Sequence, residues 1–223
     1  MTRFPSALDV ACGTGQSSRA LAEIADHAYA VDVSPAMLAE TKSYDRIRYC
    51  VASAEAIPFH EASFDLATVG LAFHWFHQTE FLLEAHRVLK EGAWLVIYTS
   101  GFLGEMGENS EFSEWAQNVY PEKFPTPSRY KYDVTVETVE PFGFRLQSME
   151  HFTHNESMRA EQLTGYLLTQ TNVIAAVESG TLPLVTAANW IQEGIEPFFS
   201  NNVRKMKFGG SISFLQRIEV AAR

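Results

Sequence analysis

Asp9-Val10-Ala11-Cys12-Gly13-Thr14-Gly15, preceded by Ala7-Leu8 and followed by a helix-like run from Gln16 to Glu23, decides how this chain is read. Ala7 to Ala11 is apolar and strand-like, and Gly15 to Ala25 has the spacing of a helix, so the glycines sit in a tight strand-to-helix turn. A turn of this kind lets backbone approach a polar ligand without side-chain obstruction. The helix start behind it presents unpaired N–H groups to negative charge. A nucleotide-like cofactor site is therefore expected within the first fifteen residues.

The periodicity beyond the turn alternates. Ala28 to Val33 reads as a second strand carrying Asp32 near its end, and Ser34-Pro35 caps a helix from Ala36 to Thr41. Ile47 to Val51 is a third strand and Phe64 to Gly70 a fourth; Glu80 to Leu89 is a helix closed by Glu91-Gly92, and Trp94 to Tyr98 a fifth strand. Near-continuous apolar strands alternating with helices predict an α/β fold: a doubly wound, mostly parallel seven-stranded sheet with helices on both faces and an inserted helical cap. After Ser100 the texture loosens. Residues 101–143 read as the inserted cap and substrate region, with a helix from Glu111 to Val119. Residues 144–223 complete the sheet, with a strand from Phe144 to Phe152, helices from Ala160 to Val177 and Leu184 to Phe199, and a last strand from Lys207 to Glu219. One domain overall is expected, with residues 1–100 as its cofactor-binding core.

Composition narrows the classes. A formal charge of −10 disfavours a phosphate backbone as partner, so no nucleic acid is expected. No stretch reaches the roughly 18 apolar residues of a membrane span, and two cysteines make no disulfide framework or zinc spacing. A cytoplasmic monomer or homodimer without membrane contact is expected. A nicotinamide fingerprint needs a third glycine three residues after Gly15, where Ser18 stands, and does not call for Asp9. An acid near the end of the first strand, with the N–H groups of the turn, suits an amino-acid head group. Asp32 is placed to accept hydrogen bonds from a ribose diol. Met37 and Ala54 read either as flanks of an adenine ring or as ordinary packing, with Ser53 near the base edge.

These residues resemble those of the class I S-adenosylmethionine-dependent methyltransferases. The carriers are Leu8 to Gly15, Val31 to Leu38, Ala54 to Phe59, Ser63 to Leu66 and Arg87 to Gly92, in that order. Ala72-Phe73-His74-Trp75-Phe76 is similar to the subgroup containing trans-aconitate methyltransferase. The resemblance implies S-adenosyl-L-methionine as cofactor, with Asp9, Gly13 and Gly15 at its methionine part, Asp32 at the ribose and Met37 and Ala54 at the adenine. Gly70, Leu71 and His74 would border the methyl group, with His74 as the catalytic candidate. Leu71 departs from a frequent glutamine, Ala52 and Ala93 from frequent glycines. Only six residues precede Ala7, where the family has a closing helical segment, so weak cofactor binding is expected of this sequence.

Transfer from a sulfonium requires alignment and exclusion of water more than a metal, and no metal site is expected from His74, His77 and Glu80. The acceptor is expected to be a small molecule, with a carboxylate favoured because it is already ionised and needs no base. A phenol, alcohol or amine would draw on His74 or His77. Trp75, Arg129 and Tyr166 are the candidate substrate residues, set against packing for Trp75 and a solvated loop for Arg129. The alternatives are carbon or nitrogen methylation of a quinone-like or amine metabolite, and a nucleoside-binding module without catalysis.

Overall fold

The computed structural model describes residues 3–42, 44–107, 109–127 and 133–219. The chain divides into two compact units: Met1–Thr99, Tyr130–His151 and Ser211–Arg223 form the first, Ser100–Arg129 and Phe152–Gly210 the second.

In the first unit, β1 (Phe4–Val10) leads through the glycine turn into α1 (Gln16–Ile24), then β2 (Ala25–Asp32), α2 (Pro35–Ala39), β3 (Ile47–Val51) and β4 (Phe64–Gly70). A single 3₁₀ turn, Phe73–Trp75, precedes α3 (Gln78–Val88) and β5 (Leu89–Tyr98). Strand β1 pairs in parallel with β2 and β4, β2 with β3, and β4 with β5. The order reverses between β1 and β4, so the loops after β1 and β4 diverge at a switch point, where open α/β sheets bind ligands. Buried Leu8, Val10, Val31, Val69, Phe64, Phe81, Leu82, Leu95 and Ile97 form the main core. Burying a side chain of this size contributes about 1.5–3 kcal/mol, and that apolar burial holds the strand ends in place.

The second unit contains β6 (Gly101–Met106), α4 (Ser110–Glu114), one π-helical turn (Trp115–Val119) and α5 (Tyr120–Lys123). The chain then gives the first unit α6 (Val136–Val139), and β7 (Phe144–Met158) runs from the first unit into the second. Helices α7 (Ala160–Leu168), α8 (Thr171–Glu178) and α9 (Leu184–Phe199) follow, and β8 (Arg204–Arg217) returns to the first unit. Strand order is β3-β2-β1-β4-β5-β8-β6, with β7 pairing β8. The antiparallel pairings of β8 with β5 and β6 complete a mixed, mostly parallel sheet.

Three expectations need correction. Gly101 to Met106 is a strand rather than loose insertion, because β8 supplies its hydrogen-bond partner from about one hundred residues away. The helix expected from Ala160 to Val177 breaks at Thr169-Gln170, where Gln170 is extended and serves as the N-cap of α8. Glu91-Gly92 does not separate a helix from a strand; it lies within β5, opposite a register shift between Phe64 and Leu66.

Candidate functional site

The glycine turn is built around two carboxylates. Asp9, wholly buried at the end of β1, accepts hydrogen bonds from Ser17 Oγ and Ser18 Oγ at 2.6 Å each and from Thr68 Oγ1 at 3.1 Å. Burial pushes its carboxyl above the ordinary range, three hydroxyl donors pull it back, and the charge on Asp32 adds to the rise. Asp9 thus clamps the first turn of α1 to β1 and β4 from beneath. It is not among the residues that line the adjoining cavity.

Asp32 closes β2 above the turn. Its Oδ2 accepts from Gly13 N and its Oδ1 from Ser34 N, both at 2.8 Å. Each carboxylate oxygen has capacity for about two hydrogen bonds, so each keeps acceptor capacity beyond its backbone contact. Gly13 has φ +55°, and a Cβ placed there meets no atom within 4 Å. Gly15 is different: at φ +78° its missing Cβ is the space filled by Tyr49, whose Oη would lie 2.5 Å away. Gly15 therefore serves packing behind the turn and does not line the cavity.

A cavity of about 640 Å³ opens over these groups, lined by Gly13, Asp32, Met37, Ser53, Ala54, Gly70, Leu71 and Trp75 among the sequence-named residues. Ala11, Val33, Ser34, Ala52, Glu55, Ala72, Phe76 and His77 complete it. Four large apolar side chains on its rim are strongly exposed: Val33 71%, Met37 50%, Leu71 52% and Trp75 61%. Phe73 and Phe76, from the same segment as Trp75, are buried in the core.

The cavity walls are braced by pairs that the sequence blocks left separate. Glu55 accepts from His77 N at 3.0 Å and from Ser53 Oγ, tying the loop after β3 to the segment after β4. The Ser53 hydroxyl is thereby committed to Glu55, which in turn donates its own N–H to Ser53 Oγ at 3.3 Å. Arg87 on α3 donates to Phe59 O at 2.8 Å and Ile57 O at 2.9 Å, while Glu84 accepts from Ile57 N and Arg87, both at 2.7 Å. Lys90 meets both oxygens of Asp65 at 2.9 Å, and Ser6 donates to the same carboxylate. Glu55, Glu84 and His77 were not singled out as wall-building residues; their charges and N–H groups gain meaning only once α3 lies against the loop.

The Glu84 brace has a pH signature. Hydrogen bonding from Arg87 outweighs burial and holds the Glu84 carboxyl below its ordinary value of 4.5. A depressed folded value stabilises above about pH 4.5 and loses that contribution as pH falls through the folded value. Melting of the unaltered chain and Glu84→Gln between pH 3.5 and 7 should give a gap in Tm that is widest near neutrality and closes in acid. A constant gap would remove the ion pair from the loop's stability.

Cys12 is buried in the turn, and burial, with the charges of Asp9 and Asp32, pushes its thiol up to about 12. Cys50 is half-buried. A chromogenic disulfide reagent at pH 8 should therefore modify Cys50 while Cys12 reacts only after unfolding; rapid modification of two thiols in the native chain would contradict this.

A second cavity, of about 500 Å³, shares Leu71 and Ala72 with the first. It is lined by His74, which is half-buried, and by Phe73, Ile97, Tyr98, Thr99, Asp133, Val134, Thr135, Met149, His151, Ser211 and Ser213. Tyr98 leans over Gly70, occupying the space a Cβ there would take. Burial raises its hydroxyl, the nearby Asp9 charge adds to this, and a Ser17 hydrogen bond opposes it. Tyr166 lies in the second unit, where its Oη accepts from Phe102 N at 3.2 Å and it lines a cavity of about 310 Å³ with Trp115, Tyr120 and Gln170. Arg129 lies outside the described residues. Among the described residues no cluster of three metal-ligating side chains forms, and no helix is long and apolar enough to cross a membrane.

An acid at the end of β2, a glycine turn after β1 and an open apolar rim at the switch point define a nucleoside-cofactor α/β protein. Residues 8–97 match the family model described as Methyltransferase domain. The chain is 31% identical over 145 residues to demethylmenaquinone methyltransferase of Chlorobaculum tepidum, covering 63% of this chain and 60% of that protein. Identity is 35% over 108 residues to malonyl-[acyl-carrier protein] O-methyltransferase of Pseudescherichia vulneris, covering 47% and 43%. The chain thus spans less than two thirds of either relative. Its fold is shared with a candidate type II methyltransferase of Anaeromyxobacter dehalogenans: TM-score 0.72, 24% identity, 98% of this chain and 97% of that one covered. Over residues 8–97 the chain is thus similar to methyltransferase domains, and the cofactor that this similarity implies is S-adenosylmethionine. The donor set suits that cofactor: a carboxylate with spare acceptor capacity, an open glycine and an exposed apolar rim.

Proposed function

We propose that the first cavity holds S-adenosylmethionine and the second a small, largely apolar acceptor whose nucleophile carries no permanent charge, of the quinol type. The observation that carries the reading is the rim of Val33, Met37, Leu71 and Trp75 around Asp32. Apolar side chains left this exposed around one concavity mark a ligand that covers them.

In this reading Asp32 accepts the ribose hydroxyls on its remaining lone pairs. Gly13 leaves the backbone open to the ligand, and Met37, Val33 and Ala54 flank the base. Ser53 shapes the loop through Glu55 instead of reading the base with its hydroxyl. Asp9 is a positioning residue: it holds the first turn of α1 through Ser17 and Ser18. When bound, S-adenosylmethionine supplies an electrophilic methyl group on a sulfonium. Leu71, Trp75 and Phe73 keep water from the transfer axis, and His74, with His151 in the same cavity, is placed to accept a proton from a hydroxyl-bearing acceptor.

The lining supports this acceptor class. Among the described residues the second cavity contains no lysine or arginine, and Asp133 adds negative charge. Among the described residues a free carboxylate would meet no fixed cation there. Identity to demethylmenaquinone methyltransferase supports the quinol-type reading. Carboxylate O-methylation remains the second reading, supported by identity to malonyl-[acyl-carrier protein] O-methyltransferase.

The test uses S-adenosylmethionine with a deuterated methyl group, a panel of naphthoquinols and hydroquinones, and a panel of mono- and dicarboxylates, with products resolved by mass spectrometry. Alkali-stable methylated quinols are expected. Alkali-labile esters would select the second reading, and no product from either panel, by a chain that binds S-adenosylhomocysteine, would overturn both.

A further inference from the structure

We propose that Leu71 is the partition between the two cavities and determines how large a group can occupy the junction between them. The proposal rests on the reading that one cavity holds the cofactor and the other the acceptor. It goes further by assigning the junction to one side chain.

The backbone first sets the side chain's course. Leu71 has φ +58°, in the left-handed region that ordinarily takes glycine, asparagine or aspartate. The conformation is imposed by the turn off β4: Leu71 N donates to Tyr98 O at 3.0 Å, while the preceding Gly70 gives its Cβ space to the Tyr98 ring. A glycine at 71 would satisfy the same turn without strain. A branched side chain is kept there nonetheless, and at 52% exposure it contributes little to the core. Strained residues of this kind point to work done by the side chain.

Position then says what that work is. Leu71 and Ala72 are the residues common to both linings. Ala72 is buried and offers only a methyl group, so the Leu71 isobutyl group sets the width of the junction. A sulfonium substituent facing the acceptor must pass beside it.

The experiment needs no knowledge of the acceptor. Affinities of the whole chain for S-adenosylmethionine, S-adenosylethionine and S-adenosylhomocysteine are measured by calorimetry for the unaltered protein, Leu71→Ala, Leu71→Asn and Leu71→Gly. The readout is the ratio of ethyl- to methyl-sulfonium affinity within each variant, so a general weakening cancels. The ratio is expected to rise at least about fivefold in the Ala and Gly variants relative to the unaltered chain. Leu71→Gly should also raise Tm by about 2–4 °C, because it removes the left-handed strain of an L side chain. Leu71→Asn, which tolerates the same φ, provides a second folded variant if Leu71→Gly does not express. An unchanged ratio in variants that still bind S-adenosylhomocysteine would overturn the partition alone. Failure of the unaltered chain to bind S-adenosylhomocysteine would overturn the cavity reading and the partition with it.

Discussion

Asp32→Ala is expected to weaken binding of S-adenosylhomocysteine by about a hundredfold, or ~3 kcal/mol, the scale of two hydrogen bonds to a charged group. Two effects act together. The proposed ribose contacts disappear, and so do the acceptors for Gly13 N and Ser34 N, which hold the turns after β1 and β2 against each other at 2.8 Å. The sulfonium and its demethylated product should weaken alike, because the ribose is common to both. Asp32→Asn separates the contributions: its amide oxygen can keep one backbone contact, whereas its NH₂ faces a second donor. Calorimetric titration of the three proteins measures this directly, and equal affinities would remove Asp32 from the site.

Gly15→Ala is expected to cost ~3 kcal/mol of stability, combining ~1–2 kcal/mol for a left-handed alanine with ~1–3 kcal/mol for displacing a packed ring. The melting temperature of a chain this long should fall by about 6–12 °C. The clash has a named partner, since the new Cβ would lie 2.5 Å from Tyr49 Oη. Tyr49→Phe removes that atom, so the double variant should regain part of the loss while the backbone strain persists. Gly13→Ala supplies the contrast. Its φ is also positive, but nothing lies within 4 Å of the added carbon, so it should lose only the ~1–2 kcal/mol of a left-handed alanine, about 2–8 °C in Tm, and lose cofactor affinity as well. Equal stability losses at 13 and 15 would show that φ alone, and not Tyr49, makes Gly15 necessary.

The contrast between the two glycines shows where sequence reading stops. Both stand in one short motif, and the motif assigns both to a ligand. Asp9 gains a role the motif does not show: Ser17, Ser18 and Thr68 converge on its carboxylate. Asp32, Met37, Ala54, Gly70 and Leu71 were legible as a set because each follows directly from a strand or helix whose end the pattern located, and they line one cavity. The role of Glu84 and Arg87 in holding Ile57 and Phe59 was not legible, since it joins residues nearly thirty positions apart.

The local pattern of this chain by itself determined the alternation of strand and helix, the glycine turn and the acid at the end of β2. These rest on periodicity and backbone chemistry over a few residues, which short-range sterics and hydrogen bonding dictate. Tertiary structure alone decided that β6 is a strand, that Asp9 faces inward, that Gly15 yields its space to Tyr49, and that Leu71 stands between two cavities. Each of those depends on which distant group arrives at the same point in space, and burial there turns a residue's chemistry toward the protein or toward a ligand.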